Sequence, residues 1–449
     1  MLPVAAIAPE DLPKPVGLTV RYPGCARVNV WLARARAPSL SLNLCLPLTH
    51  INLCLPLTHT PLHSQGPFKP NSRLRSATRL FDGLIEGSES VAVAPIGTLV
   101  MCDRAGFVWH ADAPTAGGLE AAAFSAPRRI AHLGPGRPLG FHHDRAGNLL
   151  VCMAGGAGLV RLGGRGGRVE VLASLAHEAA GGGGGGSSET HHARLSPILY
   201  ANDLDVDPVD GTVYFTDSAA IQPVLNGQGF ADTLRAYMLS LFQGGKTGRL
   251  LAWDEASGVA TVVASGLAYA NGVALLPPPV PGTPATHAAV VETNAMRVVR
   301  VGLRGGDRGR VEPFLPPGAG LPGFPDGLSR AAAASAGPPA LWLALVAPPS
   351  PLARYLGPKL VRFAAAWAPR PPLGKWGALV KVDARTGAVL DALFDLGGER
   401  VSSTSAVTDA GGGRLYLGNL NGAYVSVVDV GGGGGAGGGD GGERARDEL

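Results

Sequence analysis

GTVYFTDS, at Gly211–Ser218, is completed by GRLLAWDEASGVATVVASG from Gly248. Each piece joins a glycine to a short run of β-branched, aromatic and aliphatic residues, followed by a polar break. Such runs, bounded by Asp and Gly, form strands joined by tight hairpins. The phrase recurs as GTLVMCDRAGFVWHAD from Gly97, GNLLVCMAGGAGLVRL from Gly147 and AAVVETNAMRVVRVGL from Ala288. It recurs again as ALWLAL at Ala340 with GALVKVDARTGAVLDALF from Gly377, and as GRLYLGNLNGAYVSVVDV from Gly413. These units are spaced more widely than the roughly 40–45 residues of a WD40 blade. They predict an all-β chain, a six-bladed β-propeller of four-stranded blades with loop insertions around a central channel. The insertions are expected at Gly181–Gly186, Pro277–Pro284 and Ala331–Pro339. Links without sustained helical period exclude a doubly wound α/β fold.

Composition sets the outer limits. With 46% hydrophobic and only 16% charged residues, the 449-residue chain can bury a large core and is not a disordered polymer. The formal charge of +4 is scattered, without a basic stripe carrying interleaved aromatics, which excludes nucleic acid as the expected partner. The cysteines match no metal knuckle or CxxC spacing; Cys102 and Cys152 are expected to be buried thiols in neighbouring blades.

Three segments follow. Residues 1–66 read as an irregular N-terminal segment in which LNLCLPLTH (Leu42–His50) is repeated almost unchanged as INLCLPLTH (Ile51–His59). Residues 67–430 carry the propeller, and 431–449 form a flexible Gly-rich tail. The tail ends Arg-Asp-Glu-Leu, close to the endoplasmic reticulum retention signal, which suggests the endoplasmic reticulum or the secretory pathway. The N-terminus MLPVAAIAPEDLP lacks the basic region and unbroken apolar core of a signal peptide. ADTLRAYMLSLF (Ala231–Phe242) and LARYLGPKLVRFAAAW (Leu352–Trp367) have apolar residues at helical spacing with basic residues between them. They predict short helices across one propeller face, either packed on the blades or forming a lid that touches a membrane or an apolar ligand, with membrane contact expected most of Leu352–Trp367.

Four phrases place acids or amides in strand-like contexts: GSES with Glu89, ANDLDVD with Asn202, ANGVAL with Asn271 and GFPDGL with Asp326. In a propeller the corresponding strand starts converge on the channel, so these oxygens can meet. Carboxylates mixed with neutral amide oxygens suit a hard cation such as calcium. Asn-Asp and Asn-Gly are equally common turn residues, so a purely structural role stays open.

FKPNSRLRSATRLFDGLIEGSES, GRPLGF, ANDLDVDPVDGTVYFTDS, TGRLLAWDEASGVATVVASGLAYANGVAL, VVETNAMRVVRV, PGFPDGLS and GRLYLGNLNGAY occur in that order. Through them the stretch from Pro67 to Val430 resembles the strictosidine synthase-like family. Asn71–Arg73 and Gly323–Asp326 are most similar to the adipocyte plasma membrane-associated protein branch. The resemblance implies a six-bladed propeller related to the paraoxonases. It also implies a channel calcium held by Glu89, Asn202, Asn271 and Asp326, with Gly327 where the family often has a further Asn. Strictosidine synthases place a catalytic glutamate in the last blade. Here Ser405 or Ala406 matches it, and no carboxylate lies between Glu399 and Asp409, so strictosidine synthesis is not expected. Paraoxonase-type hydrolases place a histidine where Leu139 stands. His142 and His143 follow on opposite strand faces, so one can face the channel; His191 and His192 read as a solvated loop. The catalytic residues stay unknown at this stage, and no organic cofactor is expected. The expectation is a calcium-assisted hydrolase of small apolar esters or lactones, with arylesterase-like activity. The alternative is a non-catalytic propeller of the secretory pathway that binds a ligand or a membrane.

Overall fold

The computed structural model describes residues 66–430 except 95–96, 115–122, 165–166, 179–193, 228–229, 317–318, 333–336, 349–374 and 412, together with four short strands before them. The loop at 181–186, His191, His192, the stretch 352–367 and the tail 431–449 lie outside the described residues. The chain divides into two compact units, Met1–Pro61 with Ser350–Leu356, and Leu62–Pro349 with Gly357–Leu449. In the first, Leu18–Val20 pairs with Val28–Val30. The two duplicated copies also pair with each other, Asn43–Leu48 antiparallel to Ile51–Pro56 with Cys45 opposite Cys54.

The second unit is a six-bladed propeller of antiparallel sheets. Blade 1 comprises Val91–Val93, Thr98–Cys102, Phe107–Asp112 and Arg128–His132; blade 2 comprises Arg137–His143, Leu149–Ala154, Gly158–Leu162 and Val169–Ala173. Blade 3 comprises Ala201–Val206, Val213–Asp217, Gly248–Asp254 and Val259–Leu267, widened by the hairpin Leu175–His177/Leu195–Pro197. Blade 4 comprises Ala270–Leu275, His287–Glu292, Arg297–Gly302 and Val311–Pro313; blade 5 comprises Phe324–Arg330, Ala340–Ala347, Gly377–Asp383 and Val389–Asp395. Blade 6 takes Thr404–Asp409, Arg414–Asn419 and Val425–Asp429 from the end of the chain, and its outer strand, Thr78–Leu80, from the beginning. This exchange closes the ring, leaving no open edge between first and last blades. Asn71 fastens the closure. Its amide donates to the Ala392 carbonyl at 2.9 Å and accepts from the Phe394 amide at 3.1 Å, bracing the incoming chain against blade 5.

The repeated hairpins have the expected turn chemistry. The Asp103 carboxylate accepts from the amides of Ala105 and Phe107, and Gly106 takes the left-handed conformation at φ +94°. Asp144 repeats the arrangement with Ala146 and Asn148.

Alternation along the strands sends apolar side chains to both faces of every sheet, and neighbouring blades share them. Six apolar clusters each span one blade–blade boundary. Between blades 2 and 3, for example, Leu150, Cys152 and Leu159 meet Leu204, Phe215 and Trp253. Cys102 and Cys152 are buried free thiols in neighbouring blades, as expected. The first strand of each blade touches its counterparts on either side, so these strands line the channel.

Candidate metal centre at the channel mouth

The channel strands do not pair regularly at their starts. Register slips between Pro138 and Phe141, Ala201 and Leu204, Ala270 and Val273, Pro325 and Leu328, and Thr404 and Val407. Each slip lifts two residues out of the ladder, a bulge that re-aims side chains. The first lifted residue is Leu139, Asn202, Asn271, Asp326 or Ser405 in blades 2 to 6. Glu89 occupies the corresponding place just ahead of the first strand of blade 1. The four sequence-predicted ligands therefore hold equivalent positions in four blades; the slip lifts Asn202, Asn271 and Asp326 from the ladder, while Glu89 lies ahead of a strand that pairs regularly.

All four are buried, between 3% and 6% exposed. Asn271 donates to the Asp326 carboxylate, and at 3.2 Å to Thr293 Oγ1. Asn202 donates at 2.8 Å to Ser218 Oγ, which itself donates to the Ala270 carbonyl beside Asn271. Two atoms are left over: the Oδ1 oxygens of Asn202 and Asn271 are buried and accept no hydrogen bond. An orphaned buried acceptor costs about 1–3 kcal/mol, so two of them on equivalent positions of neighbouring blades need an explanation. A purely structural turn role accounts for the amide hydrogens but not for these oxygens.

The carboxyls are equally ill at ease without a counter-charge. Burial pushes Glu89 up to about 8, reinforced by the charge of Asp326 and opposed by Arg137. Burial pushes Asp326 up to about 7, against the stabilising Asn271 hydrogen bond, with Asp203 adding repulsion. Two carboxyls that resist ionisation beside two unsatisfied amide oxygens form a donor set that fits a hard divalent cation.

Gly327 is a departure with a packing cause. A Cβ there would collide with the Ser405 carbonyl oxygen, as one on Gly272 would with the Leu328 amide. The fifth-blade strand lies too close to blade 6 for a side chain at this position.

A helix covers the mouth. Thr233–Gln243 starts on Asp232, whose side chain accepts from the Arg235 amide at 2.9 Å, and ends on Gly244 in the left-handed conformation. This is the first of the two helices expected from the sequence, and it packs on the blades. Ala236 joins Leu139, Ala154, Tyr200, Ala219 and Tyr269 in an apolar cluster, with Tyr237 against its rim. Arg137 ties it down, donating at 2.8 Å to Thr233 Oγ1 and at 2.7 Å to the Leu420 carbonyl of blade 6. Tyr200 donates to the Thr233 carbonyl at 2.9 Å and lies 2.6 Å from the Tyr269 hydroxyl. Sequence reading missed Arg137, Tyr200 and Tyr269. GRPLGF and SGLAYANG gave no sign that their polar tips would meet over one site.

The last-blade position holds Ser405, fully buried, its hydroxyl donating to the Glu89 carbonyl at 2.6 Å. No carboxylate takes the place of the strictosidine synthase glutamate there. The second-blade position holds Leu139. His142, three residues further along its strand, faces a cavity of about 340 Å³ at the opposite end of the channel, while His143 is not part of that wall. Neither histidine belongs to the ring of Glu89, Asn202, Asn271 and Asp326.

Comparison with known proteins agrees with this architecture. A family profile described as strictosidine synthase matches residues 202–301, and one described as strictosidine synthase-like, N-terminal, matches residues 66–110. A strictosidine synthase-like protein 2 of Arabidopsis thaliana is 27% identical over 319 residues, covering 66% of this chain and 71% of that one. An adipocyte plasma membrane-associated protein of Salmo salar is 30% identical over 283 residues, covering 60% of this chain and 57% of that one. Strictosidine synthase-like protein 10 of Arabidopsis thaliana is 31% identical, but only 42% of its length is matched. The chain thus spans less than two thirds of the length of the last two relatives. Among solved structures, a gluconolactonase of Xanthomonas campestris covers 79% of this chain and 90% of its own at 16% identity and a TM-score of 0.48, too distant to inform activity.

Proposed function

From its similarity to strictosidine synthase-like proteins, we propose that the chain is a calcium-assisted hydrolase of small apolar esters or lactones, with Glu89, Asn202, Asn271 and Asp326 holding the ion. The observation that carries this reading is the pair of buried, partnerless Oδ1 oxygens on Asn202 and Asn271, beside two carboxyls whose pKa values burial raises to about 8 and about 7. A bound calcium ion supplies Lewis acidity to a carbonyl oxygen. The chain's own residues do the rest. Glu89 and Asp326 release their protons as the ligand set fills. Leu139, Tyr200 and Tyr269 offer an apolar wall to the acyl or aryl part of the substrate, and Arg137 holds the helix over the ring, restricting water. Strictosidine synthesis is no part of the proposal, since Ser405 cannot transfer protons as a glutamate does.

A second reading, a non-catalytic ligand-binding propeller, is favoured by one observation. Both positions where relatives of this architecture carry an acid–base group hold Leu139 and Ser405. Membrane contact through Leu352–Trp367 remains an expectation of the sequence. Among the described residues, no helix is long and apolar enough to cross a membrane.

Phenyl acetate hydrolysis by the purified protein separates the readings. The hydrolase reading expects turnover that chelation abolishes and that Asn202→Ala and Asp326→Ala each reduce by at least about 100-fold. Turnover indifferent to chelator would overturn it. Stoichiometric calcium binding without turnover would establish the second reading.

A further inference from the structure

The cavity of about 340 Å³ at the far end of the channel is the other large feature of the channel, and the metal centre does not use it. Its size falls within the about 300–1,000 Å³ of small-molecule sites. Later residues of the same channel strands line it, and half the wall is apolar, with Phe141, Val273, Leu328 and Val407.

The polar half of the wall is unusual in how its groups are committed. Asp203 accepts from the amides of Leu204 and Val273. Asp205 accepts from the amides of Val206 and Leu275 and from Arg330 at 2.7 Å. Asp409 accepts from the Gly411 amide and the Trp342 indole. Ser329 and Thr408 donate to the carbonyls of Val407 and Val91. Every carboxylate of the wall already has its donors.

The uncommitted groups are donors. Among the described residues Arg330 uses only Nη2, on Asp205 and at 3.4 Å on the Val206 carbonyl, leaving Nε and Nη1 without a partner there. His142 is exposed, lines the cavity and makes no hydrogen bond among the described residues. Among the described residues, no three His, Cys, Asp or Glu side chains are grouped to hold a metal. Spare donors on a guanidinium and an imidazole, facing apolar walls, select an anionic head on an apolar body.

We propose that this chamber binds a small organic carboxylate, its carboxylate held by Arg330 and His142 and its body against Phe141, Leu328 and Val407. The head accepts from the free edge of the guanidinium and from one imidazole nitrogen. Asp205 keeps the guanidinium in place and, being fully bonded to donors, does not compete for the ligand. The site is independent of the hydrolase reading, since no residue of the metal ring takes part.

Benzoate is the probe, titrated calorimetrically into the calcium-loaded full-length protein. The expected result is saturable binding with one site, weakened at least about tenfold by His142→Ala and by Arg330→Gln. Chelator or Asn202→Ala at the other end should leave it unchanged. His142→Ala removes no protein hydrogen bond, so it keeps the test valid if Arg330→Gln disturbs folding. Absence of binding, or binding unaltered by His142→Ala, would overturn the proposal. Binding lost on chelation would move the carboxylate to the metal centre and equally overturn it. Displacement of benzoate by equimolar inorganic phosphate would show a site selective only for charge, contrary to the role given to the apolar wall.

Discussion

The two ends of the channel are made from the same six strands and have nearly the same kinds of residue, yet their chemistry is opposite. At the mouth, acceptors are in excess: the Asn202 and Asn271 Oδ1 oxygens have no donor, and Glu89 and Asp326 resist ionisation. At the far end, three aspartates each accept from amides, an indole or Arg330, although burial still raises Asp203 to about 8, and the unpartnered groups among the described residues are donors. A count of acidic residues would put a cation at both ends. What separates them is which atoms are already paired, and that is set by the bulges. In the third-blade bulge the first lifted residue, Asn202, meets no backbone amide of the next blade, whereas the second, Asp203, and Asp205 beyond the bulge reach the amides of Val273 and Leu275.

The sharpest break in this contrast is Asp326→Ala. It removes a charged ligand and frees the Asn271 amide hydrogen into the ring. Calcium affinity should fall by at least about 100-fold, roughly 2.7 kcal/mol, while benzoate binding at the far end stays as it was. Calcium calorimetry on the wild type and the variant checks this. Equal affinities would remove the mouth from consideration as a cation site.

Acidity gives the next largest effect. In metal-free protein Glu89, Asp326 and Asp203 have folded-state pKa values raised to about 8, 7 and 8. A carboxyl raised on folding contributes stability that is fully present below its unfolded value and lost as pH climbs through the folded value. Metal-free protein should therefore lose stability between about pH 5 and 8, its Tm dropping by ~5 °C or more. Calcium should restore most of it at the upper end, because the ion replaces the missing counter-charge. Thermal unfolding across that range, with and without calcium, measures both. A metal-free Tm that rises toward pH 8 would show that the mouth carboxyls are already satisfied.

Gly327→Asn refines the account of the mouth. The family resemblance invites the substitution as a gain of ligand, but a Cβ at 327 collides with the Ser405 carbonyl oxygen. Overpacking of this kind costs about 1–3 kcal/mol. The expected variant is less stable and binds calcium no more tightly. Improved affinity would mean that blade 6 yields to the new side chain.

Much of this was legible beforehand, and the illegible part has a physical reason. The blade hairpins announce themselves because a strand pair with an Asp–Gly turn is a local pattern, complete within one phrase. Glu89, Asn202, Asn271 and Asp326 were legible as candidates because polar residues break apolar strands. The exchange of Thr78–Leu80 into blade 6 was not, for a three-residue strand carries no period. Nor were the links from Arg137 to Thr233 and from Asp205 to Arg330, since each joins segments far apart in sequence. His142 shows the limit most clearly. Alternation let one of His142 and His143 face the channel, but not which of them nor at which end, and three residues of strand at about 3.3 Å each separate the two chemistries.

The smallest expected effect tests whether the ends are independent. Asp205→Asn keeps the size of the side chain but replaces one acceptor oxygen with an NH2 group. The carboxylate now accepts from the Val206 amide at 2.8 Å, the Leu275 amide at 2.9 Å and Arg330 at 2.7 Å. With one oxygen left, either the Leu275 amide loses its partner or Arg330 swings free, a cost of about 1–2 kcal/mol for a part-buried network. Denaturant unfolding should show that loss. Calcium affinity should not change, because Asp205 shares no hydrogen bond with Asn202, Asn271, Glu89 or Asp326. If calcium affinity falls tenfold with the stability, the mouth and the chamber form one network through Asp203, and the contrast between them is one of degree.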